Sequence, residues 1–400
     1  MTNRALIIAA GATSPSVIRG ALASRDSDLM ANALRTLGCE VDVDGSTVTV
    51  RPGPVTGGGR VDCGLAGTVM RFVPPVAALS ATPTLIGGDQ AARRRPMSTM
   101  TDALVQLGAH VEGETLPMTV SGPITGGTAR IDASASSQFV SGLLLSGARF
   151  PAGVTVIHTG DSVPSLPHIE MTLDMLHTAG VESTQHHDEE TGTYSWTVPR
   201  QEYAGGEVTI EPDLSNAAAF LAAAAVTGGH VSMPGWPATT TQPGDDIRHI
   251  FDAIGCTHEL SSDGTLTVSG PADGVLHGID ADLSAVGELT PTVAAVCAFA
   301  DSPSRLTGIA HLRGHETDRL QALTAELTNL GCDCEELADG LAITPAPMTG
   351  GLWRSYEDHR MATAGAIVGL KVKDTFVENI ETTSKTMPDF ARMWEALLGA

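Results

Sequence analysis

The chain has 400 residues, 42% of them hydrophobic, which is too long for one compact core and enough for two. Its longest apolar run, Ala217 to Val226, is ten residues, about half of what a membrane-spanning helix needs. Lys and Arg number 23 against 46 Asp and Glu, a net charge of −23; that balance disfavours nucleic acid and anionic membrane surfaces as partners. An anionic ligand must therefore be held by local geometry that overcomes the global field.

Taken in chain order, the elements repeat. One unit is a helix ending in Leu-Gly or Ala-Gly, followed by two short alternating strands. Its glycines are Gly38, Gly108, Gly180, Gly255 and Gly331, spaced by 70, 72, 75 and 76 residues. Glycine just past a helix end accepts the left-handed cap. Asp44-Gly45, Asp263-Gly264 and Asp339-Gly340 are hairpin-turn signals between the strands that follow. A second unit interleaves with the first: a polar residue opening an apolar, alanine-rich helix, at Thr2, Thr68, Ser137, Ser215, Thr290 and Arg360. Small side chains all round predict helices buried on most faces. The opening segment, TNRALIIAAGA, reads as one of these six core helices and not as a leader.

Six core helices stand beside only five complete helix-glycine-hairpin units. A sixth begins at ARMWEALLGA, with Gly399 68 residues after Gly331, and no hairpin follows it. Closure of a sixfold arrangement would draw the absent strands from upstream of Met1. The alternative is a last repeat that never had a hairpin. Strands alternating with helices place the chain in the mixed α/β class. Three units per half put the domain boundary near Ile210-Glu211-Pro212-Asp213, giving domains 1–211 and 212–400 with a short hinge. The six cysteines, Cys39, Cys63, Cys256, Cys297, Cys332 and Cys334, form no C-x-x-C; reduced, mostly buried thiols in a cytoplasmic protein are expected.

Helix N-termini offer unpaired N–H groups and partial positive charge to phosphate and carboxylate ligands. Ordinary N-capping explains any single Ser or Thr there, but not the clusters beside them. These are GLAGTVMRF (64–72), ARRRP (92–96), ASSQF (135–139), GHETDRL (314–320), YEDHRMA (356–362) and TTSKTMPDF (382–390). With TNRA (2–5), SLPHIEMT (165–172) and PDLSNAA (212–218) they occur in the order seen in EPSP synthases, which the chain resembles over essentially its whole length.

The resemblance implies a two-domain inside-out α/β barrel, with three βαβαββ units per domain facing each other across a cleft. It implies transfer of the enolpyruvyl group of phosphoenolpyruvate to the 5-hydroxyl of shikimate-3-phosphate, without metal or organic cofactor, by a cytoplasmic monomer. Ser136, Ser137 and Ser165 would bind the shikimate phosphate, Arg4 the shikimate carboxylate, and Gln138 would lie beside the ring. Gly67, Arg95, Gln138, Arg319, Arg360 and Lys385 would hold phosphoenolpyruvate, where arginine forks suit both anions by bidentate pairing. Glu316, Glu288 and Lys385 would carry the catalytic step, Glu316 moving protons and Glu288 lying near the reacting hydroxyl. His315 and His168 stand where relatives often carry lysine and tyrosine, and each is a phosphate-side donor or a structural one. Leu65 replaces a frequent asparagine.

The main departure is at the start. Relatives carry Gly-Ser-Lys-Ser just before the segment that begins here at Met1, and its lysine and serine contact the two substrates. The chain as given is therefore expected to turn over poorly; a non-catalytic shikimate-3-phosphate-binding protein is the alternative. The related UDP-N-acetylglucosamine enolpyruvyl transferase usually has a reactive cysteine before its loop arginine, whereas this loop reads GGDQAARRRP. The RNA terminal phosphate cyclase of the same fold is poorly served by the acidic charge.

Overall fold

The computed structural model describes residues 1–160 and 162–399; Ala400, the last residue of the expected second domain, lies outside them. The chain divides into two compact units, Met1–Ile210 and Glu211–Ala400.

In the first unit, three sheets share one plan. A short strand runs parallel to the next, and an antiparallel hairpin completes the set. Thus Arg60–Asp62, Thr84–Gly87, Met118–Ser121 and His110–Glu112 lie side by side in that order, with Val61 opposite Ile86 and Ile86 opposite Met118. The parallel pair exists because the buried helix Gly67–Ala77 carries the chain back between its strands. Gly127–Ile131 and Val154–His158 are joined the same way by Gln138–Gly147. The sheet built on Ser16–Arg19 takes its parallel neighbour from the far end of the unit, Glu207–Thr209, with Val17 opposite Glu207.

The second unit repeats the plan once in full, in Asp280–Asp282, Ser304–Thr307, Leu341–Thr344 and Asp333–Glu336. Among the described residues its other sheets have three strands and two: His230–Met233 with Leu266–Ser269 and Thr257–Leu260, and Leu352–Trp353 with Phe376–Val377. The sheets of each unit stay separate and do not close on one another, within the mixed α/β class that the resemblance implied. The physical reason is the row of helices between them. From Leu214 to Val226 nearly every side chain of the helix Leu214–Thr227 is buried, so its whole circumference is occupied by packing.

The expected glycine caps are present: Gly38, Gly108, Gly180, Gly255 and Gly331 have φ between +79° and +107°. The helix starts differ in detail from the expectation of Ser and Thr openings. Asp213 caps the helix Leu214–Thr227, accepting from the Asn216 N–H at 2.9 Å, and Asp358 caps His359–Gly369. The helices beginning at Thr2, Gly67, Gln138 and Thr290 start with no side-chain cap among the described residues. An aspartate at this position both accepts from the first free N–H groups and places negative charge at the positive end of the helix.

Candidate active site

In the first unit, Gly67 opens the helix Gly67–Ala77, and three side chains converge on it. A methyl group there would stand 3.0 Å from Gln138 Oε1, 3.1 Å from Arg95 Nη2 and 3.2 Å from Arg71 Nη1. Glycine at this position therefore keeps a small polar space open. Arg95 is 7% exposed; its Nη1 donates to the Leu65 carbonyl at 3.3 Å, and its Nε has no partner among the described residues. Gln138 Oε1 has none either. Ser137 is buried at the start of the helix Gln138–Gly147, and Ser136 Oγ accepts from the Gln138 N–H at 3.3 Å.

Arg4 is buried on the helix Thr2–Gly11. Its Nε donates to Thr172 Oγ1 at 2.7 Å and its Nη2 to the His168 carbonyl at 3.2 Å, while its guanidinium lies over the Phe72 ring. These bonds tie it to the helix Pro167–Thr178, whose approach is shaped by Ser165, a buried residue at φ +53°. A non-glycine residue in that region is held there by its surroundings; the His168 N–H donates back to the Ser165 carbonyl at 3.0 Å.

The second unit assembles charges of both signs. Arg319, 1% exposed, opens the helix Arg319–Asn329. It donates from Nε to Asp358 Oδ2 at 2.8 Å and from Nη2 to Asp358 Oδ1 at 3.1 Å. Nη2 also reaches Glu316 Oε2 at 3.1 Å, and the other oxygen of Glu316 pairs with buried Lys385. Burial disfavours the Arg319 cation, but the fields of Asp358 and Glu316 outweigh it, and its pKa lies above the ordinary arginine value. Arg319 Nη1 lies 3.1 Å from His315 Nδ1. A guanidinium only donates, so that ring nitrogen accepts and the His315 proton sits on Nε2.

Arg360 donates through its backbone N–H to Asp358 Oδ1 at 2.9 Å and through Nη1 to the Ser215 carbonyl at 3.3 Å. Burial, then the neighbouring Arg319 charge, lowers its pKa, against the fields of Asp213, Glu288 and Asp358. Glu288 is half-buried in the turn Gly287–Leu289 ahead of the helix Thr290–Cys297. The adjacent His359 is buried; burial first, then the Lys385 and Arg360 charges, push its imidazole well below 6.5 and keep it neutral.

The structure thus brings together Gly67, Arg95 and Gln138 in one unit, and Glu316, Arg319, Lys385, His315 and Arg360 in the other. Two participants carry no role in the sequence reading. Arg71 lies one helical turn after Gly67, 2% exposed, over the Phe139 ring; a lone arginine on an apolar helix face was the available signal. Asp358 has no exposure and joins Arg319 to Arg360; it was visible only as part of YEDHRMA.

Each unit thus carries its own cluster, buried cations beside glycine-opened space in the first and buried cations paired with carboxylates in the second, on an α/β scaffold; such clusters fit an enzyme for anionic substrates. The family model described as EPSP synthase (3-phosphoshikimate 1-carboxyvinyltransferase) matches residues 1–394, and the chain belongs to that family. The fold is similar to that of EPSP synthase from Acinetobacter baumannii, with a TM-score of 0.76 and 22% identity over 100% of this chain and 92% of that one. A second structure of EPSP synthase from that organism matches with a TM-score of 0.76 and 22% identity, over 99% and 93% of the two chains. The reaction is transfer of the enolpyruvyl group from phosphoenolpyruvate to the 5-hydroxyl of shikimate-3-phosphate, a step of the shikimate pathway.

Proposed function

We propose that the chain divides the two substrates among its residues as follows, acting as a cytoplasmic monomer without cofactor. Ser136, Ser137 and Ser165 bind the phosphate of shikimate-3-phosphate, Arg4 its carboxylate, and Gln138 lies beside its ring; His315 adds its Nε2–H donor, and His168 is a further donor candidate. Phosphoenolpyruvate is held by Arg95 and Gln138 beside Gly67, and by Arg319, Arg360 and Lys385. Arg71 adds a further cation next to Gly67.

Glu316 and Lys385 carry the protons. The reaction removes a proton from the attacking hydroxyl and adds one to the methylene carbon, so it needs a base and an acid in hydrogen-bond reach of the reacting atoms. Glu288 steadies the hydroxyl. The observation that carries this reading is Glu316 itself, whose two oxygens are shared between Lys385 and Arg319. One oxygen takes or gives a proton beside an ammonium while the other is fixed by a guanidinium.

The test is Glu316→Gln, which keeps the size and loses the base. Its kcat should fall by about 10²- to 10⁴-fold, the usual weight of general acid–base catalysis, with both substrate dissociation constants little changed. A kcat equal to that of the parent chain would refute the assignment.

A further inference from the structure

Asp358 and Arg360 follow a loop whose conformation needs support. Tyr356 and Glu357 have φ of +54° and +57°, a left-handed pair that side-chain-bearing residues adopt only when neighbours hold them. The support comes from Glu326. It lies seven residues after Arg319 on the helix Arg319–Asn329, two turns along and on the same face, and it has no exposure. Its Oε2 accepts from the Arg354 backbone N–H at 2.9 Å and its Oε1 from the Tyr356 hydroxyl at 2.5 Å. The Arg354 guanidinium approaches Oε1 at 3.8 Å. Burial, then the bond to Glu326, pushes the Tyr356 phenol up to about 12, so it remains a donor at neutral pH.

One helix therefore grips the loop at two points. Arg319 takes Asp358 at the loop's end through two hydrogen bonds, and Glu326 takes Arg354 and Tyr356 at its beginning. Between them the Asp358 N–H closes onto the Ser355 carbonyl at 2.8 Å. Below the loop, Trp353 is fully buried and donates from Nε1 to the Met361 carbonyl at 2.8 Å.

We propose that Glu326 is a positioning residue for phosphoenolpyruvate binding: by fixing the left-handed turn at Tyr356–Glu357 it sets Asp358, and through Asp358 the orientation of Arg319 and Arg360. The inference rests on the roles given above to those two arginines.

The experiment compares Glu326→Ala, Glu326→Gln and Arg360→Ala by steady-state kinetics and backbone hydrogen exchange. In Glu326→Ala the KM for phosphoenolpyruvate rises by about 10- to 100-fold, the effect of two part-buried donors losing their acceptor, while the KM for shikimate-3-phosphate is unchanged. Exchange at the Asp358 and Arg360 amides accelerates. Glu326→Gln restores most of both, because its amide oxygen can accept from Arg354 while its amide nitrogen donates to the Tyr356 oxygen. Should the alanine variant not fold, Tyr356→Phe removes one grip alone and gives a smaller shift in the same direction.

Unchanged exchange in Glu326→Ala overturns the proposal. So does an equal rise in both KM values, which marks a general structural role, and so does faster exchange with an unaltered phosphoenolpyruvate KM while Arg360→Ala raises it. If Arg360→Ala leaves that KM alone, the arginine assignment is what fails. The grip on the loop is then judged by exchange, which must be lost in the alanine variant and kept in the glutamine one.

Discussion

Two buried arginines, Arg95 in the first unit and Arg319 in the second, are held in opposite ways. Arg95 is anchored by one carbonyl, with its Nε left without a partner among the described residues and its Nη2 turned to the space beside Gly67. Arg319 engages all three of its nitrogens, two of them with carboxylates. The first is a donor set with capacity left over for the ligand proposed above. The second is a donor set already engaged by protein, so the guanidinium proposed above to meet phosphoenolpyruvate is locked in place by Asp358, Glu316 and His315 beforehand. Buried charge of one sign is thus left with spare donor capacity in one unit and fully engaged by internal partners in the other.

The largest way to break this comparison is Arg319→Ala. Asp358, without any exposure, would lose its guanidinium, and removing one partner of a buried pair costs about 3–5 kcal/mol. Urea unfolding should show that loss together with a collapse in turnover. Arg95→Ala should cost phosphoenolpyruvate affinity about 1–3 kcal/mol, the weight of lost hydrogen bonds to a charged ligand, as read by calorimetry. A smaller step sharpens the picture: Gly67→Ala puts a methyl within 3.0–3.2 Å of the Gln138, Arg95 and Arg71 side-chain ends. Its backbone φ lies outside the left-handed region, so stability should hold while the phosphoenolpyruvate KM rises by roughly tenfold or less, about 1.4 kcal/mol.

The smallest effect is on pH dependence. The folded-state pKa of His359 lies well below 6.5, so above pH 6.5 both folded and unfolded chains carry it neutral and its stabilising contribution is complete. As pH falls below 6.5 the unfolded chain binds the proton first, and stability drains away. His359→Gln should flatten the acid limb of a plot of unfolding free energy against pH; an unaltered slope would show that the imidazole does titrate in the fold.

Much of the fold was legible because it rests on local chemistry. Gly38, Gly108, Gly180, Gly255 and Gly331 adopt left-handed caps, and Asp44-Gly45 turns the hairpin between Glu40–Asp44 and Thr47–Arg51. The pairing of Val17 with Glu207 was not legible, since no local signal joins strands so distant in the chain. Helix starts were misplaced by a residue or two because Asp213 and Asp358, just ahead of the Ser and Arg taken as markers, make the caps. Motif residues such as Gly67, Arg319 and Lys385 could be named from sequence. The partners that fix them could not: Glu326, Asp358 and Arg71 look like ordinary helix or turn residues until burial and distance reveal what they touch.

The most direct test of the contrast is urea unfolding of Arg95→Ala with and without phosphoenolpyruvate in the presence of shikimate-3-phosphate. A ligand that binds only the folded state adds stability in proportion to the logarithm of its saturation. The ligand-free stability should stay within about 1 kcal/mol of the parent chain, the weight of the single hydrogen bond to the Leu65 carbonyl that is lost, while the phosphoenolpyruvate-dependent gain shrinks sharply. A ligand-free loss as large as that of Arg319→Ala, with the ligand-dependent gain retained, would contradict the account.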